Sequence, residues 1–344
     1  MTKSGQEAVE TGVDALRKAY KGQTVLVTGG AGFIGSNLVR RLLELSVERI
    51  VVIDDLSSSF RWNIPDNGKV AFLQGSILDD EKLTTAFESH PKFVFHLAAH
   101  FANQNSIEHP ERDLMVNGGG TLRLLRFSQL TDVDRFVFAS SGCSVYGSDA
   151  PLPLKEEFMS IHLDTPYQIT KLLGELYCNY FHDYYGLKIS TPRFFNVYGP
   201  GEIPGKYRNV IPNFIFWALS GKPLPITGTG EETRDFTFVG DVVNGILKSG
   251  YLKEAIGEPI NLASGEETKI KDLAKTINKL ATNKTGTTFN ARRSWDRSGR
   301  RRASIEKAQK ILGYHPSMEL ERGIGMTVKW FRENWDLIKR DAMF

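Results

Sequence analysis

Hydrophobic and polar positions follow two alternating periods along the first half of the chain. Short apolar runs typical of buried strands alternate with stretches whose apolar residues recur three and four positions apart, as in amphipathic helices. The predicted strands lie at residues 24–27, 49–53, 70–74, 93–97, 135–140 and 187–193. The predicted helices lie at residues 5–20, 33–45, 80–88, 113–129 and 166–185. This alternation predicts βαβ units and an α/β fold with a doubly wound parallel sheet.

The rhythm changes at about residue 197, where the segments become irregular and Gly-Pro punctuation begins. Examples are Gly199-Pro200-Gly201 and Gly221-Lys222-Pro223. The sequence contains no internal repeat and no low-complexity tract. We therefore predict a helical extension over residues 1–21, an α/β domain over residues 22–196 and a smaller lobe formed mainly by residues 197–344. Some segments of the lobe are expected to return to the first domain.

The composition is that of an ordinary soluble protein. Of the 344 residues, 41% are hydrophobic and 24% are charged, and no apolar run approaches the ~20 residues of a membrane span. The N-terminus lacks the apolar core of a signal peptide. With only two cysteines, Cys143 and Cys178, the sequence predicts a cytoplasmic protein without a disulfide framework or a cysteine-based metal site.

The charge balance argues against nucleic acid as a partner. The chain has 43 basic and 40 acidic residues, for a net charge of +3. One dense cluster stands out, and it consists of Arg292, Arg293, Arg297, Arg300, Arg301 and Arg302. Such a cluster is either a solvated face or part of a site for an anionic small molecule, because arginine matches phosphate and carboxylate geometry.

A glycine-rich turn follows the first predicted strand and opens a helix. Gly29 permits the tight turn, Gly32 lets the backbone approach a pyrophosphate, and Gly35 lets the helix sit close to the sheet. Asp54 lies 19 residues after Gly35, at the end of the second strand. A carboxylate there accepts hydrogen bonds from the adenosine ribose and repels a 2′-phosphate. The combination predicts a dinucleotide site that prefers NAD to NADP.

Tyr167 and Lys171 are four residues apart in a predicted helix and therefore share one face. A tyrosine is a poor base at neutral pH, but a nearby ammonium and a positive nicotinamide ring both favour its phenolate. Such a tyrosine takes a proton from a sugar hydroxyl as hydride leaves the same carbon. Most Tyr-x-x-x-Lys pairs are exposed helix residues. The position of this pair after the fifth strand of a dinucleotide fold favours a catalytic role.

Several motifs in order point to one family. They are Thr28-Gly-Gly-Ala-Gly-Phe-Ile-Gly35, His96-Leu-Ala-Ala99, Asn117, Ser140-Ser141 before Val145-Tyr-Gly147, Tyr167-Gln-Ile-Thr-Lys171, Pro192-Arg-Phe-Phe-Asn-Val-Tyr-Gly-Pro200 and Thr233-Arg-Asp-Phe236. Over about residues 22–335 the chain resembles the extended short-chain dehydrogenase/reductases, in the nucleotide-sugar epimerase/dehydratase branch. The resemblance implies a Rossmann-type domain that binds NAD and a lobe that binds substrate.

The resemblance also implies further cofactor-binding residues. Ser76 stands where the family often has an aspartate that meets the adenine amino group, and Ile77 is expected to pack on adenine. The remaining implied cofactor-binding residues, besides the glycines, Asp54, Tyr167 and Lys171, are Phe33, Ile34, Leu97, Ala98, Ala99 and Asn117. No metal site is implied.

A serine or threonine beside the catalytic tyrosine assists the family's reaction. Counting from the fifth strand gives Ser141, whereas counting back from Val145 gives Gly142, and Ser144 is the alternative hydroxyl. Residues 142–144 are Gly, Cys and Ser, so the carboxylates that the family's dehydratases and decarboxylases carry here are missing. The resemblance therefore implies epimerisation of a nucleotide-diphosphate sugar, at C4, through a transient keto-sugar and bound NADH. A dehydratase or decarboxylase that uses another acid is the alternative.

Candidate substrate-binding residues come from the same resemblance. Asn196 and Arg234 match residues that contact the diphosphate, and Asn209 and Val210 match positions near the nucleobase. Arg297 lies where the family often has an arginine in an Arg-Pro-Gly-Asp stretch.

The identity of the sugar depends on two further positions. In related epimerases the residue seven positions after the arginine that Arg297 matches limits the space beside C2 of the hexose. The resemblance places Ser304 there, so its small side chain is expected to leave room for an N-acetyl group. Alternatively, one residue of the Arg300-Arg301-Arg302 run meets the C6 carboxylate of a uronic acid. The expected substrate is a UDP-hexose, a UDP-N-acetylhexosamine or a UDP-uronic acid.

The resemblance finally implies a homodimer. Family members commonly pair through the Tyr-Lys helix and the helix before the fifth strand. In this chain the first of these helices carries apolar residues at suitable spacing, namely Leu172, Leu173, Leu176 and Tyr180. Packing of the same residues inside one subunit is the alternative.

Overall fold

Strands and helices alternate along the protein in a computed structural model that describes residues 3–344, with the backbone alone for residues 3–11. The strands are β1 (Thr24–Thr28), β2 (Arg49–Asp54), β3 (Val70–Gln74), β4 (Phe93–His96), β5 (Arg135–Phe138), β6 (Ser140–Ser141), β7 (Ile189–Phe194), β8 (Val197–Tyr198), β9 (Leu224–Thr227), β10 (Thr233–Arg234), β11 (Thr237–Phe238), β12 (Pro259–Leu262), β13 (Thr268–Lys269) and β14 (Thr287–Asn290). The helices are α1 (Lys3–Tyr20), α2 (Phe33–Glu44), α3 (Asp80–Phe87), α4 (Asn103–Glu108), α5 (Pro110–Asp113), α6 (Thr121–Leu130), α7 (Gly142–Val145), α8 (Pro166–Tyr185), α9 (Val210–Leu219), α10 (Val239–Tyr251), α11 (Ile270–Ala281), α12 (Glu306–Leu312), α13 (Leu320–Glu333) and α14 (Trp335–Asp341).

An eight-stranded parallel sheet forms the centre of the molecule. Seven strands follow the order β12-β7-β5-β4-β1-β2-β3, and the short β6 pairs with β7. The strand order reverses direction between β1 and β4, which are neighbours although two strands separate them in sequence. In open α/β sheets this switch point is where ligands bind, beyond the carboxyl ends of the strands. The predicted doubly wound parallel sheet is confirmed.

The side chains of each strand point alternately to the two faces of the sheet and contribute to an apolar layer on each face. Val25 and Val27 of β1 pack with α2 and α10, whereas Leu26 between them packs on the opposite face with α3, α6 and α8. Side chains of a strand point alternately to its two faces, so a continuous apolar run is required where both faces are covered. This requirement explains why the predicted strands read as apolar runs.

The predicted helix over residues 113–129 is helical throughout, but it is not a continuous α-helix. The chain instead runs from α5 through a π-helical segment, Leu114–Gly120, into α6. A Cβ at Gly120 would clash with the side chain of Ile77, and one at Gly118 would lie 3.0 Å from Leu173 Cδ2 of α8. The glycines therefore let the widened turn lie closely between the sheet's edge and α8.

The predicted strand over residues 135–140 is also interrupted. β5 pairs with β4 and β7, but the chain then shifts so that Ser140 and Ser141 pair with Arg193 and Phe194 of β7. The Ala139 carbonyl between the two strands accepts a hydrogen bond from Lys171 Nζ at 3.0 Å. This break turns the chain toward α8.

The C-terminal half builds a smaller layer above the carboxyl ends of the strands. Helices α9, α11 and α13 pack together beside the two-stranded pairs β9-β14 and β10-β13. Both α10 and β12 return to the main sheet, as the sequence predicts for some of these segments. The predicted helix over residues 5–20 lies within α1, and its Tyr20 packs against Phe93. No helix in residues 3–344 has the length and apolar character to cross a membrane.

Candidate active site

Two adjoining clefts open between the sheet and the smaller layer. The first, here called the sheet cleft, lies at the carboxyl ends of the strands and contains the glycine turn, Asp54 and Tyr167. The second, here called the lobe cleft, lies between α9 and the arginine-rich segment and contains Val210 and Arg234. Seven residues line both clefts and form a shared wall: Phe101, Ala102, Asn103, Cys143, Asn196, Arg208 and Asn209.

The glycine turn has the shape that a dinucleotide pyrophosphate requires. Gly29 has a positive φ of 71°, and a Cβ there would lie 2.7 Å from the backbone nitrogen of Ala98. At Gly35 a Cβ would clash with the Gly29 carbonyl, and Gly32 caps the N-terminus of α2. The unpaired N–H groups of that helix end, at Phe33, Ile34 and Gly35, line the sheet cleft. The turn therefore fits the pyrophosphate of a dinucleotide.

Asp54 ends β2 at the wall of the sheet cleft and is held firmly in place. Its Oδ2 accepts a hydrogen bond from Ala31 N at 2.9 Å, and its Oδ1 accepts from Leu56 N at 2.9 Å and from Ser59 Oγ at 2.6 Å. These three bonds fix a carboxylate beside the turn, where it disfavours an additional phosphate on the ribose.

The rest of the predicted cofactor-binding set lines the same cleft, with one exception. Ser76 and Ile77 follow β3, and the segment Leu97, Ala98 and Ala99 follows β4. In the sheet β3 and β4 flank β1 and β2, and the apolar side chain and small residues at their ends leave a slot suited to a flat base and its ribose. These contacts remain predictions for a bound cofactor, but the residues are compatible with NAD.

Tyr167 and Lys171 lie side by side on α8 where the sheet cleft meets the shared wall. Both side chains are buried, and the Lys171 ammonium lies 5.7 Å from the centre of the Tyr167 ring. Burial, Asp113 and Cys143 raise the pKa of Tyr167, whereas burial lowers the pKa of Lys171 to about 8. The phenol therefore holds its proton until a cation favours the phenolate, and Lys171 is the cation that this chain places beside it.

Two serines of the loop after β5 remain candidates for the assisting hydroxyl. Ser141 and Ser144 both line the sheet cleft. Ser141 is partly exposed, whereas the buried Ser144 Oγ has no hydrogen-bond partner among the described residues. Gly142 has no room for a side chain, because a Cβ there would clash with the ring of Phe195. Cys143 lines both clefts and also packs against the apolar cluster that contains Tyr146 and Phe195.

A buried ion pair holds this loop against α8. Arg193 of β7 donates to both carboxylate oxygens of Glu175, at 2.9 and 2.7 Å. Ser140 Oγ donates to Glu175 Oε1 at 2.5 Å, and Arg193 Nη1 donates to Tyr146 Oη at 2.9 Å. Because Glu175 lies one turn after Lys171, the pair fixes the loop and the Tyr-Lys helix relative to each other.

Four of the six predicted substrate residues line the lobe cleft. Asn196, whose φ is +31°, donates from Nδ2 to Cys143 Sγ at 3.4 Å. Arg234 donates to Asp296 Oδ2 at 2.9 Å, and Asn209 and Val210 lie at the N-terminus of α9. A cation and a helix N-terminus that face one cleft suit an anionic ligand such as a diphosphate.

Three predicted site residues are not brought into either cleft. Asn117 is buried behind the cleft, where it hydrogen bonds to both backbone groups of His100, to Asp113 and to Thr170. It therefore supports the cleft wall and does not form part of it.

The other two lie in the C-terminal segment. The side chain of Arg297 is 75% exposed and lies 3.8 Å from Asp164 Oδ1. Ser304 is buried against Leu154, to whose carbonyl it donates through its backbone N–H at 2.9 Å. Ser304 lines neither cleft, so its place beside a bound sugar stays a prediction.

The arginine run is divided between solvent and the lobe cleft. Arg300 is largely exposed and forms a bidentate pair with Glu267 at 2.9 and 2.5 Å. Arg301 is buried, lines the lobe cleft and donates to the Cys143 carbonyl. Within the part of the chain that the structure describes, no three His, Cys, Asp or Glu side chains cluster as metal ligands.

Some lining residues were missed because no local pattern marks them. Glu202 and Arg208 come from irregular segments, and only the fold brings them to the clefts. Arg301 is among the three arginines proposed from the sequence, but the cluster did not distinguish this inward side chain from its neighbours.

The parallel sheet, the glycine turn and the buried Tyr-Lys pair define a dinucleotide-dependent enzyme of the α/β class. The model of the NAD dependent epimerase/dehydratase family matches residues 25–263. The chain belongs to this family, and NAD is its cofactor.

Individual relatives agree with this membership. The chain is 36% identical over 310 residues to a UDP-glucose 4-epimerase of Mycolicibacterium smegmatis, covering 89% of this chain and 98% of the relative. It is similar to the solved structure of the epimerase Mth375 from Methanothermobacter thermautotrophicus, with a TM-score of 0.95, 53% identity and coverage of 97% and 98% of the two chains. It is also similar to the Bordetella bronchiseptica enzyme WbmF in complex with NAD+ and UDP, with a TM-score of 0.84, 38% identity and coverage of 94% and 96%.

Proposed function

We propose that the protein is an NAD-dependent UDP-sugar epimerase that acts at C4 of the sugar. The observation that carries the proposal is the position of Tyr167 and Lys171 where a dinucleotide-shaped cleft meets a second, cation-lined cleft. A sugar whose nucleotide occupies the lobe cleft would have its ring at the shared wall, beside Tyr167. The substrates named for the relatives support UDP as the nucleotide.

When bound, NAD would accept the hydride that leaves C4 and, as NADH, would return it to the opposite face of the keto-sugar. We propose that Tyr167 Oη takes the proton of the C4 hydroxyl and returns it after the keto-sugar has rotated in the cleft to present its other face. Lys171, fixed by the Ala139 carbonyl, keeps a positive charge beside the phenol, while Ser141 or Ser144 hydrogen bonds to the reacting oxygen. The shared wall keeps the intermediate enclosed between the two clefts.

A dehydratase or decarboxylase is the second candidate, and product mass separates the two. The loop after β6 supplies no carboxylate to eliminate water, because residues 142–144 are Gly, Cys and Ser. Incubation with UDP-glucose, UDP-N-acetylglucosamine and UDP-glucuronate should give a product of unchanged mass, resolved from its substrate by chromatography. Loss of water or carbon dioxide would refute the epimerase proposal.

The catalytic base can be tested directly. We expect Tyr167→Phe to retain UDP binding and to lose ~10²–10⁴-fold in turnover, because it removes only the proton acceptor. Turnover within about threefold of the wild type would reassign the base.

The sugar class depends on Arg301 more than on its neighbours. A UDP-hexose, a UDP-N-acetylhexosamine and a UDP-uronic acid all remain candidates, but Arg300 is engaged by Glu267 outside the clefts. If the substrate is a uronic acid, Arg301→Gln should impair turnover of UDP-glucuronate far more than that of UDP-glucose. An equal loss for both sugars would mean that Arg301 does not read the C6 carboxylate.

We further propose a homodimer that forms through α8. Ile169, Leu176, Tyr180 and Tyr184 project from one face of α8 and are each about half exposed or more. Leu172 and Leu173, in contrast, pack inside the subunit. Large exposed apolar side chains at helical spacing suit a second copy of the same helix. Tyr180→Glu should shift the solution mass toward the monomer, and a wild type that is monomeric at all concentrations would refute the dimer.

The domain roles and location are proposals of the same kind. We propose that residues 22–196 bind NAD, that residues 197–344 mainly bind the substrate, and that residues 1–21 are an extension. A cytoplasmic location is supported by the free thiols of Cys143 and Cys178.

A further inference from the structure

The segment between β8 and α9, residues 199–209 and here called the strap, crosses the sheet cleft above the glycine turn. Asn37 Nδ2 of α2 donates to the Pro200 carbonyl at 2.9 Å. Asn63 Nδ2 donates to the Gly201 carbonyl at 3.2 Å and to the Ala31 carbonyl at 3.3 Å. These bonds tie the start of the strap to the turn and to α2. The end of the strap lines the same cleft as the N-terminus of that helix.

Arg208, near the end of the strap, lies in the wall shared by the two clefts. Its Nη2 donates to the carbonyl of Ser58, in the loop that follows β2. The other side chains of the sheet cleft near this contact are Ser57, Ser59 and Glu202, and none of them lines the lobe cleft. The bond to Ser58 therefore holds the guanidinium on the side of the sheet cleft.

The charge of Arg208 is only partly compensated by a carboxylate, that of Glu202. Arg234 pairs with Asp296 at 2.9 Å and Lys206 pairs with Glu108 at 2.8 Å, but Arg208 forms no ion pair in the described chain. Glu202 is the nearby acid. It is 2% exposed, it accepts from Asn209 Nδ2 at 3.0 Å through Oε1, and its buried Oε2 has no partner among the described residues.

These observations describe half of an anion site. A guanidinium has five donors, and only one of those of Arg208 is used within the described chain. An enclosed cation that no ion pair neutralises is stabilised by an anionic ligand, and arginine binds phosphate oxygens in bidentate fashion. The other half is the N-terminus of α2 across the cleft, where unpaired N–H groups also favour phosphate.

We propose that Arg208 is a cofactor-binding residue that contacts the pyrophosphate of NAD from the strap, opposite the glycine turn. The strap and the turn then enclose the pyrophosphate from two sides and retain the cofactor between turnovers. This proposal rests on the proposed function only in taking NAD as the ligand of the sheet cleft. Arg234, on the lobe cleft alone, remains the candidate for the diphosphate of the sugar nucleotide.

The test is a comparison of ligands with and without phosphates. Nucleotide-free wild-type protein and the Arg208→Gln variant are titrated calorimetrically with NAD, ADP and adenosine, and separately with UDP. We expect the variant to bind NAD and ADP ~10–100-fold more weakly, the range of a lost hydrogen bond to a charged group, and to bind adenosine as the wild type does. Arg208→Lys keeps the positive charge but not the planar guanidinium that binds phosphate in bidentate fashion. This variant should lose less affinity for the same two ligands.

The control removes an arginine from a surface away from both clefts. Arg322→Gln, on the exposed side of α13, should bind all four ligands as the wild type does. An equal loss of adenosine and NAD binding in both Arg208 variants would mean that Arg208 only supports the strap, and a loss confined to UDP would assign it to the substrate. Either result overturns the proposal. A wild type that binds no NAD would instead contradict the proposed function, so the two failures are distinct.

Discussion

Glu202 is predicted to make the stability of the empty protein depend on pH, and replacing it by glutamine should remove that dependence. The side chain is 2% exposed, and burial raises its pKa from 4.5 to about 7. The hydrogen bond from Asn209 and the charge of Arg208 act in the opposite direction but are outweighed. The folded protein therefore binds this proton more tightly than the unfolded chain does.

The sign and size of the effect follow from proton linkage. Below pH 4.5 Glu202 is protonated in both states and costs nothing. As pH rises from about 4.5 to about 7, the unfolded chain releases the proton first, so the folded state is progressively destabilised. A shift of this size corresponds to about 3 kcal/mol, reached above pH 7. Glu202→Gln has the same shape and no charge, so it should gain about that much relative to the wild type between pH 5 and pH 8.

Urea unfolding of the nucleotide-free protein, followed by tryptophan fluorescence at pH 5, 6, 7 and 8, measures this difference. Glu88→Gln, at an exposed position after α3, is the matched control and should run parallel to the wild type. If the free energy of unfolding of Glu202→Gln also changes with pH as that of the wild type does, ionisation of the carboxyl does not destabilise the folded protein. The reasoning is then wrong.

Three further predictions concern the sheet cleft and the buried ion pair of Glu175 and Arg193. Asp54→Asn should narrow the preference for NAD over NADP in binding titrations, and an unchanged ratio would show that the carboxylate does not select the cofactor. Glu175→Gln should lower the free energy of unfolding by ~3–5 kcal/mol, because it removes the partner of the buried Arg193, and a loss below about 1 kcal/mol would contradict this. Gly35→Ala should abolish NAD binding, since its Cβ meets the Gly29 carbonyl, and wild-type affinity would show that the turn adapts.

The first half of the fold is predictable from the sequence because each strand is covered on both faces. Such strands are apolar along most of their length, and the runs at β1, β2 and β4 are therefore visible without context. The bounds of α8 are also predicted correctly, because Thr165 caps its start and Gly186 takes a left-handed conformation at its end. Local chemistry determines these elements.

The breaks in regular secondary structure could not be predicted from the local sequence. The break at Ala139 depends on the pairing of Ser140 with Arg193, and these residues are far apart in sequence. The clefts show the same limit. The glycine turn and the Tyr-Lys pair are motifs with fixed spacing, whereas Arg208 and Glu202 reach the sheet cleft only because the strap crosses the sheet. Ser304 shows the converse, since counting along a segment that departs from the family pattern points to a residue that lines neither cleft.

The glycine run of the π-helical segment, Gly118 to Gly120, lies against side chains at two separate places, so substitutions in this run would disturb both places. Gly120 lies against Ile77, at the end of the sheet cleft that suits adenine, and Gly118 lies against Leu173 of the helix that carries Tyr167. A single added methyl group in this run would press on one of these neighbours, although no residue of the run lines either cleft. In a library that covers every substitution and is screened for activity, positions 118 and 120 would tolerate as few substitutions as active-site residues do. A larger residue at either position would require a smaller side chain at the neighbour it meets, Leu173 for position 118 and Ile77 for position 120.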